Sequence, residues 1–369
     1  MRILVLFLCL HVTQLLANDG AFYTNENQLI PIVESTISVK KEVLSIQRIE
    51  NGYVRVTVSY IFDNPGIPKE ILVGFEAPSP AGDVNGTPIN GRHPYISNFS
   101  VVMNGLPIVY ETAIVNEKEY YKNDAIQSLT EDEAKGEHFV ENDPDFYYVY
   151  HFDAPFKKGL NTIQYTYNFK MSTSVMEYYS FGYILTAANR WANNGIDDFT
   201  LIIDLGDFQN FFLSKTFFKD QSEWSFDGKM LEMDENLPPY LEYYKESMEV
   251  FCNHGPLVFT EKDFHPNGEL NISAVINMQA IDMKAFDSAS HNLPFDLQSS
   301  AFISKSISES AYKILRNLPY ARRGYVFKTA FIRNFYETQK WYQPNPNYIS
   351  SVDDLTTEEK KWLKELIAP

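Results

Sequence analysis

From Thr36 to about Ile276 the apolar residues of this chain recur at every second position. Val54, Val56, Val58, Tyr60 and Phe62 alternate with Arg55, Thr57 and Ser59. Ile163, Tyr165, Tyr167 and Phe169 repeat the pattern, as do Leu201, Ile203 and Leu205, and Leu270, Ile272, Ala274 and Ile276. A helix would scatter such residues around its axis, whereas a strand collects them on one face and leaves the other to water. Asn51-Gly52, Asn104-Gly105, Asp227-Gly228 and Asn267-Gly268 punctuate the strands with pairs that tolerate positive φ in tight hairpins. Few helical crossovers separate the strands, which favours an antiparallel sandwich over a parallel sheet. The expectation is a mainly β protein, with an antiparallel β-sandwich body over 18–285 in one or two sub-domains.

Two segments break the alternation. Residues 116–146 are polar and acidic, an excursion with a short helix expected around Asp124–Lys135. Within it, Glu141-Asn142-Asp143-Pro144-Asp145 spaces carboxylates alternately, as calcium ligands often are. The central glycine and the distal bidentate glutamate of a calcium loop are missing. A solvated acidic loop is the simpler reading, with calcium at Glu141, Asp143 and Asp145 as its rival. Near Pro238–Phe251, Leu241, Tyr244, Met248 and Phe251 fall on one helical face, so a helix packed on a sheet is expected there.

The start of the chain has its own pattern: Met1-Arg2, an apolar run from Ile3 to about Leu16, then Ala17 before Asn18-Asp19-Gly20. This reads as a cleavable secretory signal over 1–17, too short to span a bilayer. No later stretch offers eighteen apolar residues, so no transmembrane segment and a soluble mature chain are expected. Cys9 would leave with the signal. Cys252 is then alone and is expected to be a buried small hydrophobe, not half of a disulfide.

Charge is unevenly distributed. The chain carries a formal net charge of −17, with residues 18–300 at −22 and 301–349 at +6. An acidic body argues against nucleic acid as a partner. The basic island either docks onto that body or holds an anion.

Signatures of chemistry are sparse. No two of the seven histidines lie at metal-ligand spacing, and no nucleophile elbow, phosphate-cradling loop or dinucleotide fingerprint occurs. Carboxylates are plentiful enough to supply a general acid and base, so a hydrolase acting on envelope glycans or peptides stands as the alternative to a binding protein. The 24 Tyr, 27 Phe and 4 Trp can build either a large antiparallel core or aromatic platforms for a ligand.

The C-terminal part changes period. Ile307, Ala311, Ile314, Leu315 and Leu318 give a helix that Pro319 is expected to end. Phe331, Phe335 and Tyr336 form a second stripe over Lys328–Gln339. Thr356 and Glu359 form a capping box that opens a third helix carrying Trp362 and Leu363. Between the first two helices lies Tyr320-Ala321-Arg322-Arg323-Gly324, and Trp341-Tyr342-Gln343-Pro344 follows the second. These residues resemble the YARHG domain, a small module of exported bacterial proteins, with Arg323 standing where the family has His. The resemblance implies a helical domain over 305–369, reached through a linker at 286–304, and points to Tyr320, Arg322, Arg323, Gly324, Trp341 and Tyr342 as binding residues. One expectation for the arginine pair is stacking on Trp341 or capping of helix carbonyls; the other is an anion site. Tyr60-Ile61-Phe62-Asp63-Asn64-Pro65, Tyr183-Ile184-Leu185-Thr186, Trp191 and the run Gly195–Leu201 are loosely similar to a family of exported bacterial β-domains. Together the readings imply an exported, non-enzymatic binding or scaffolding protein, periplasmic or extracellular, that recognises a cell-wall or surface polymer.

Overall fold

The computed structural model describes residues 22–23, 28–31, 36–82, 84–116, 120–136, 138–140, 143–276, 285–297 and 303–369. The expected signal segment lies outside them. The alternating segments all form strands. The larger sheet has eleven. From edge to edge it runs Glu177–Tyr183, Leu270–Val275, Gln209–Ser214, Ser247–Phe264 and Ile196–Asp204, then Ser38–Ile49, Tyr53–Asn64, Gly159–Lys170, Ile96–Met103 and Leu106–Ile108. Trp224–Glu232 joins alongside Ser247–Phe264. These strands pair antiparallel except where Ile196–Asp204 meets Ser38–Ile49 in parallel. That single parallel seam divides the sheet into two antiparallel halves.

A second sheet of four strands, ordered Gln28–Pro31, Lys69–Pro78, Tyr147–Phe156 and Glu111–Val115, covers the half that contains Gly159–Lys170 and Ile96–Met103. Phe75 from this layer lies 4.9 Å from the Tyr167 ring and 5.1 Å from that of Phe99 in the other. The body is therefore the expected sandwich, its inner faces filled by the residues that alternate in the sequence.

Three local expectations are corrected. The helix expected over Pro238–Phe251 is a short 3₁₀ turn, Pro239–Tyr244, followed by the strand Ser247–Phe264. Met248, Val250 and Cys252 of this strand enter the sandwich core while Phe251 enters a second apolar cluster. A strand buried on both faces loses its period-two signature, which lets a helical spacing show through. Asp227-Gly228 is a bulge inside a strand, not a hairpin turn, with register shifts on both sides of Asp227. A Cβ on Gly228 would lie 2.1 Å from the Phe251 carbonyl oxygen, so the bulge needs glycine. Cys252 is buried as expected, and burial raises its thiol to about 12.

The C-terminal module contains helices α1 (Glu309–Arg322), α2 (Ala330–Glu337) and α3 (Thr357–Glu365). The third correction concerns Pro319, which lies inside α1 and does not end it. Its missing N–H would have bonded the Leu315 carbonyl; that oxygen instead accepts from the Trp362 indole N–H of α3 at 3.1 Å. The module shares one apolar cluster with the body, in which Phe208 and Phe251 of the body pack with Phe295, Leu315, Trp341 and Trp362. The described part of the segment expected as a linker is packed rather than open. Phe286, Leu293, Phe295 and Ile303 are buried, and the Phe286 N–H donates to the Lys305 carbonyl at 2.8 Å. No helix among the described residues is long and apolar enough to cross a membrane.

Candidate functional site

The arginine pair sits at the seam between body and module. Arg322 closes α1 and Arg323 follows it, so both guanidinium groups start from the same helix end. Both reach the Glu359 carboxylate of α3: Arg322 donates from Nη1 at 3.0 Å, Arg323 from Nη1 at 2.7 Å and Nη2 at 2.8 Å. The Thr356 backbone N–H adds a fourth bond at 2.9 Å, the reciprocal half of the capping box. Glu359 is wholly buried and the arginine side chains are 4% and 7% exposed. Burial lowers Arg322 to about 10, opposed by the charges of Glu359 and the buried Asp296. Arg323 also caps α1, donating to the Pro319 carbonyl at 2.8 Å.

The stacking partner is not Trp341. Arg322 and Arg323 lie 4.2 and 4.5 Å from the centre of the Phe208 ring, and Arg322 lies 5.5 Å from that of Phe295. Phe208 stands on the loop before Gln209–Ser214 with φ 53°, a left-handed conformation rare for a bulky residue. Its buried ring and its carbonyl both face the arginine pair, the carbonyl accepting from Arg322 Nη2 at 3.4 Å.

The other motif residues have separate places. The Tyr320 carbonyl accepts the N–H groups of Arg323 and Tyr325 at 3.2 and 3.0 Å. Gly324 turns the chain at φ 78°, and a Cβ there would lie 2.2 Å from the Gln343 carbonyl oxygen. Tyr342 is buried and donates to the Tyr325 carbonyl at 2.7 Å. Trp341 donates to the Leu293 carbonyl at 2.9 Å. Of the six, only Trp341 reaches the cleft described next. Of the proposed calcium ligands, Glu141 and the side chain of Asp143 lie outside the described residues. Asp145 meets His138 Nδ1 at 2.8 Å.

On one side of the seam a cleft of about 620 Å³ opens between the strands of the body and the module. Phe212, Tyr240, Phe251, Phe295 and Trp341 supply aromatic surface, and Glu232, Asp234 and Glu249 supply carboxylates. Lys340 is the lone cation of the lining among the described residues. Its ammonium pairs with the largely buried Glu249 and lies 5.9 Å from the centre of the Phe251 ring. The sequence pattern does not mark Phe212, Phe251 and Phe295 as cleft residues: Phe251 fits a helical face, Phe295 falls in the expected linker, and Phe212 stands in no motif. Glu249 carried no signal at all.

Residues 296–368 match the YARHG domain model, so the chain carries that domain at its C-terminal end. No curated protein matches the chain. Among solved structures, a protein of Legionella pneumophila named as a nutrient-binding candidate is similar at 17% identity, covering 94% of this chain and 98% of that one, with a TM-score of 0.48. An M1 zinc metallopeptidase of Deinococcus radiodurans, in the form bound to a Tyr-Ser-Ala substrate, is 9% identical over 65% of this chain and 43% of its own, with a TM-score of 0.27. Baculovirus P35 is 12% identical over 65% of this chain and 97% of its own, also at 0.27.

Proposed function

We propose that this is an exported, non-enzymatic binding protein of the bacterial envelope whose ligand sits in the cleft between the sandwich and the YARHG domain. The observation that carries this reading is the pairing of an aromatic lining with three carboxylates against one lysine. Such a lining favours a ligand with an apolar face and a positively charged amine and disfavours an anion. The chain's own Lys340 illustrates the chemistry, its ammonium held between a carboxylate and an aromatic ring. Among cell-wall and surface polymers, the peptide stems of peptidoglycan present amines of this kind.

Titration of the full chain with purified muropeptides, followed by tryptophan fluorescence, tests the proposal. Binding should be saturable, weaken in Trp341→Phe and in the double variant Glu232→Gln with Asp234→Asn, and release no product. Cleavage of the muropeptide would favour the hydrolase reading, in which those carboxylates supply acid and base. Equal binding by the variants would move the ligand out of the cleft.

A further inference from the structure

On the other side of the seam, a groove of about 780 Å³ runs between the body and the module, and its lining differs from that of the cleft. We propose that this groove binds a neutral, hydroxyl-rich glycan strand.

The lining is dominated by groups that both donate and accept. Asn253 from the body faces Gln343, Asn345 and Asn347 from the segment that follows Trp341-Tyr342. Each amide offers two N–H donors and a carbonyl acceptor, and a sugar hydroxyl likewise does both. Asp227 and Asp354 add acceptors, and both are already oriented. Asp227 Oδ1 accepts from Asn253 Nδ2 at 3.1 Å, and Asp354 Oδ2 accepts from the Tyr348 hydroxyl at 3.1 Å. The Tyr348 ring and Pro344 and Pro346 supply the apolar surface on which pyranose rings stack.

Charge separates a glycan from an anion. Arg322 and Arg323 touch the groove, and their cationic groups would attract phosphate or carboxylate if they were free. They are instead bound to Glu359, and Asp227 and Asp354 stand on the same walls. What remains toward the ligand are the amides of Asn253, Gln343, Asn345 and Asn347 and the imidazole of His254. Amide donors beside two carboxylates suit hydroxyl groups, which accept and donate, and disfavour a polyanion. Gly324 belongs to the same wall: its turn brings Asn345 to the Gly324 carbonyl, with the Asn345 N–H donating at 2.7 Å.

The groove and the aromatic cleft are separate sites, so either proposal can fail alone. Calorimetric titration of the full chain with chitotetraose, cellotetraose and maltotetraose, and with hexametaphosphate as the anionic probe, tests the groove. At least one tetrasaccharide should bind, with an affinity that is the same at low and high salt. Gln343→Ala with Asn347→Ala changes two exposed side chains and should weaken that binding about tenfold or more with the melting temperature unchanged. Trp341→Phe should leave it as it is. Failure of all three sugars to bind, unaltered binding by the double variant, or displacement of the sugar by hexametaphosphate would each overturn the proposal.

Discussion

Arg323 grips Glu359 with both terminal nitrogens, at 2.7 and 2.8 Å, and the carboxylate it grips has no exposure to solvent. The same carboxylate caps α3 through Thr356 and takes a third guanidinium bond from Arg322. One buried group therefore ties the end of α1 to the start of α3. Through Arg322 it also ties both helices to the Phe208 carbonyl of the body. A buried charge in such a position is stabilised only while its partners remain.

Glu359→Gln keeps the shape and part of the capping bond but leaves two buried guanidinium groups without their counter-charge. The expected loss is about 3–5 kcal/mol, read from chemical denaturation. A loss below about 1 kcal/mol would mean that water reaches the arginines and that the network is peripheral.

Trp362→Phe isolates a different contact. The ring is kept, but the Leu315 carbonyl, already deprived of its helical donor by Pro319, loses the indole N–H at 3.1 Å. An unsatisfied buried carbonyl costs about 1–3 kcal/mol. Replacing Pro319 by Ala in that background should restore part of the loss, because the backbone N–H can then bond Leu315. No restoration would show that the Trp362 effect is one of packing alone.

The strands and the three C-terminal helices were legible because periodicity reports which face is buried, and each of these elements has one buried face. Ser247–Phe264 was not, because Val250 and Phe251 face two different apolar clusters. The capping box could be read from Thr356 and Glu359 three residues apart. The tie between Glu359 and an arginine pair thirty-odd residues upstream could not, because it depends on how α3 returns to α1. Phe208 gave no signal: its role follows from a left-handed backbone at φ 53°.

Gly324 tests how far the motif serves packing. An alanine there meets both a positive φ of 78° and the Gln343 carbonyl oxygen at 2.2 Å. Strain of this kind costs of order 1–3 kcal/mol, more when backbone must move. Thermal unfolding of Gly324→Ala should shift down accordingly. An unchanged midpoint would show that the turn and residues 343–345 relax without penalty.

The last prediction concerns pH and rests on two buried groups in the sandwich. A register shift between Val39 and Lys41 turns Glu42 inward opposite Tyr60, and burial pushes its carboxyl from 4.5 up to about 8. His93 is equally buried. One ring nitrogen bonds the Pro78 carbonyl at 3.0 Å and the other accepts the Tyr95 N–H at 3.1 Å, so the neutral ring is satisfied and burial lowers it from 6.5 to about 3. Between pH 4.5 and 8 the folded chain holds a proton on Glu42 that the unfolded chain has released, so this group removes stability as pH rises. Between pH 3 and 6.5 the unfolded chain holds a proton on His93 that the folded chain lacks, so this group removes stability as pH falls. Each proton corresponds to a slope of about 1.4 kcal/mol per pH unit. The two slopes cancel from 4.5 to 6.5, leaving a plateau that falls away on the acid side through His93 and on the alkaline side through Glu42. Glu42→Gln should flatten the alkaline side and extend the His93 slope across the former plateau up to pH 6.5, and His93→Gln should flatten the acid side and extend the Glu42 slope down to pH 4.5. Denaturant unfolding of the three proteins from pH 3 to 9 reads both slopes. An alkaline fall that persists in Glu42→Gln would show that another group causes it and would overturn the assignment to Glu42.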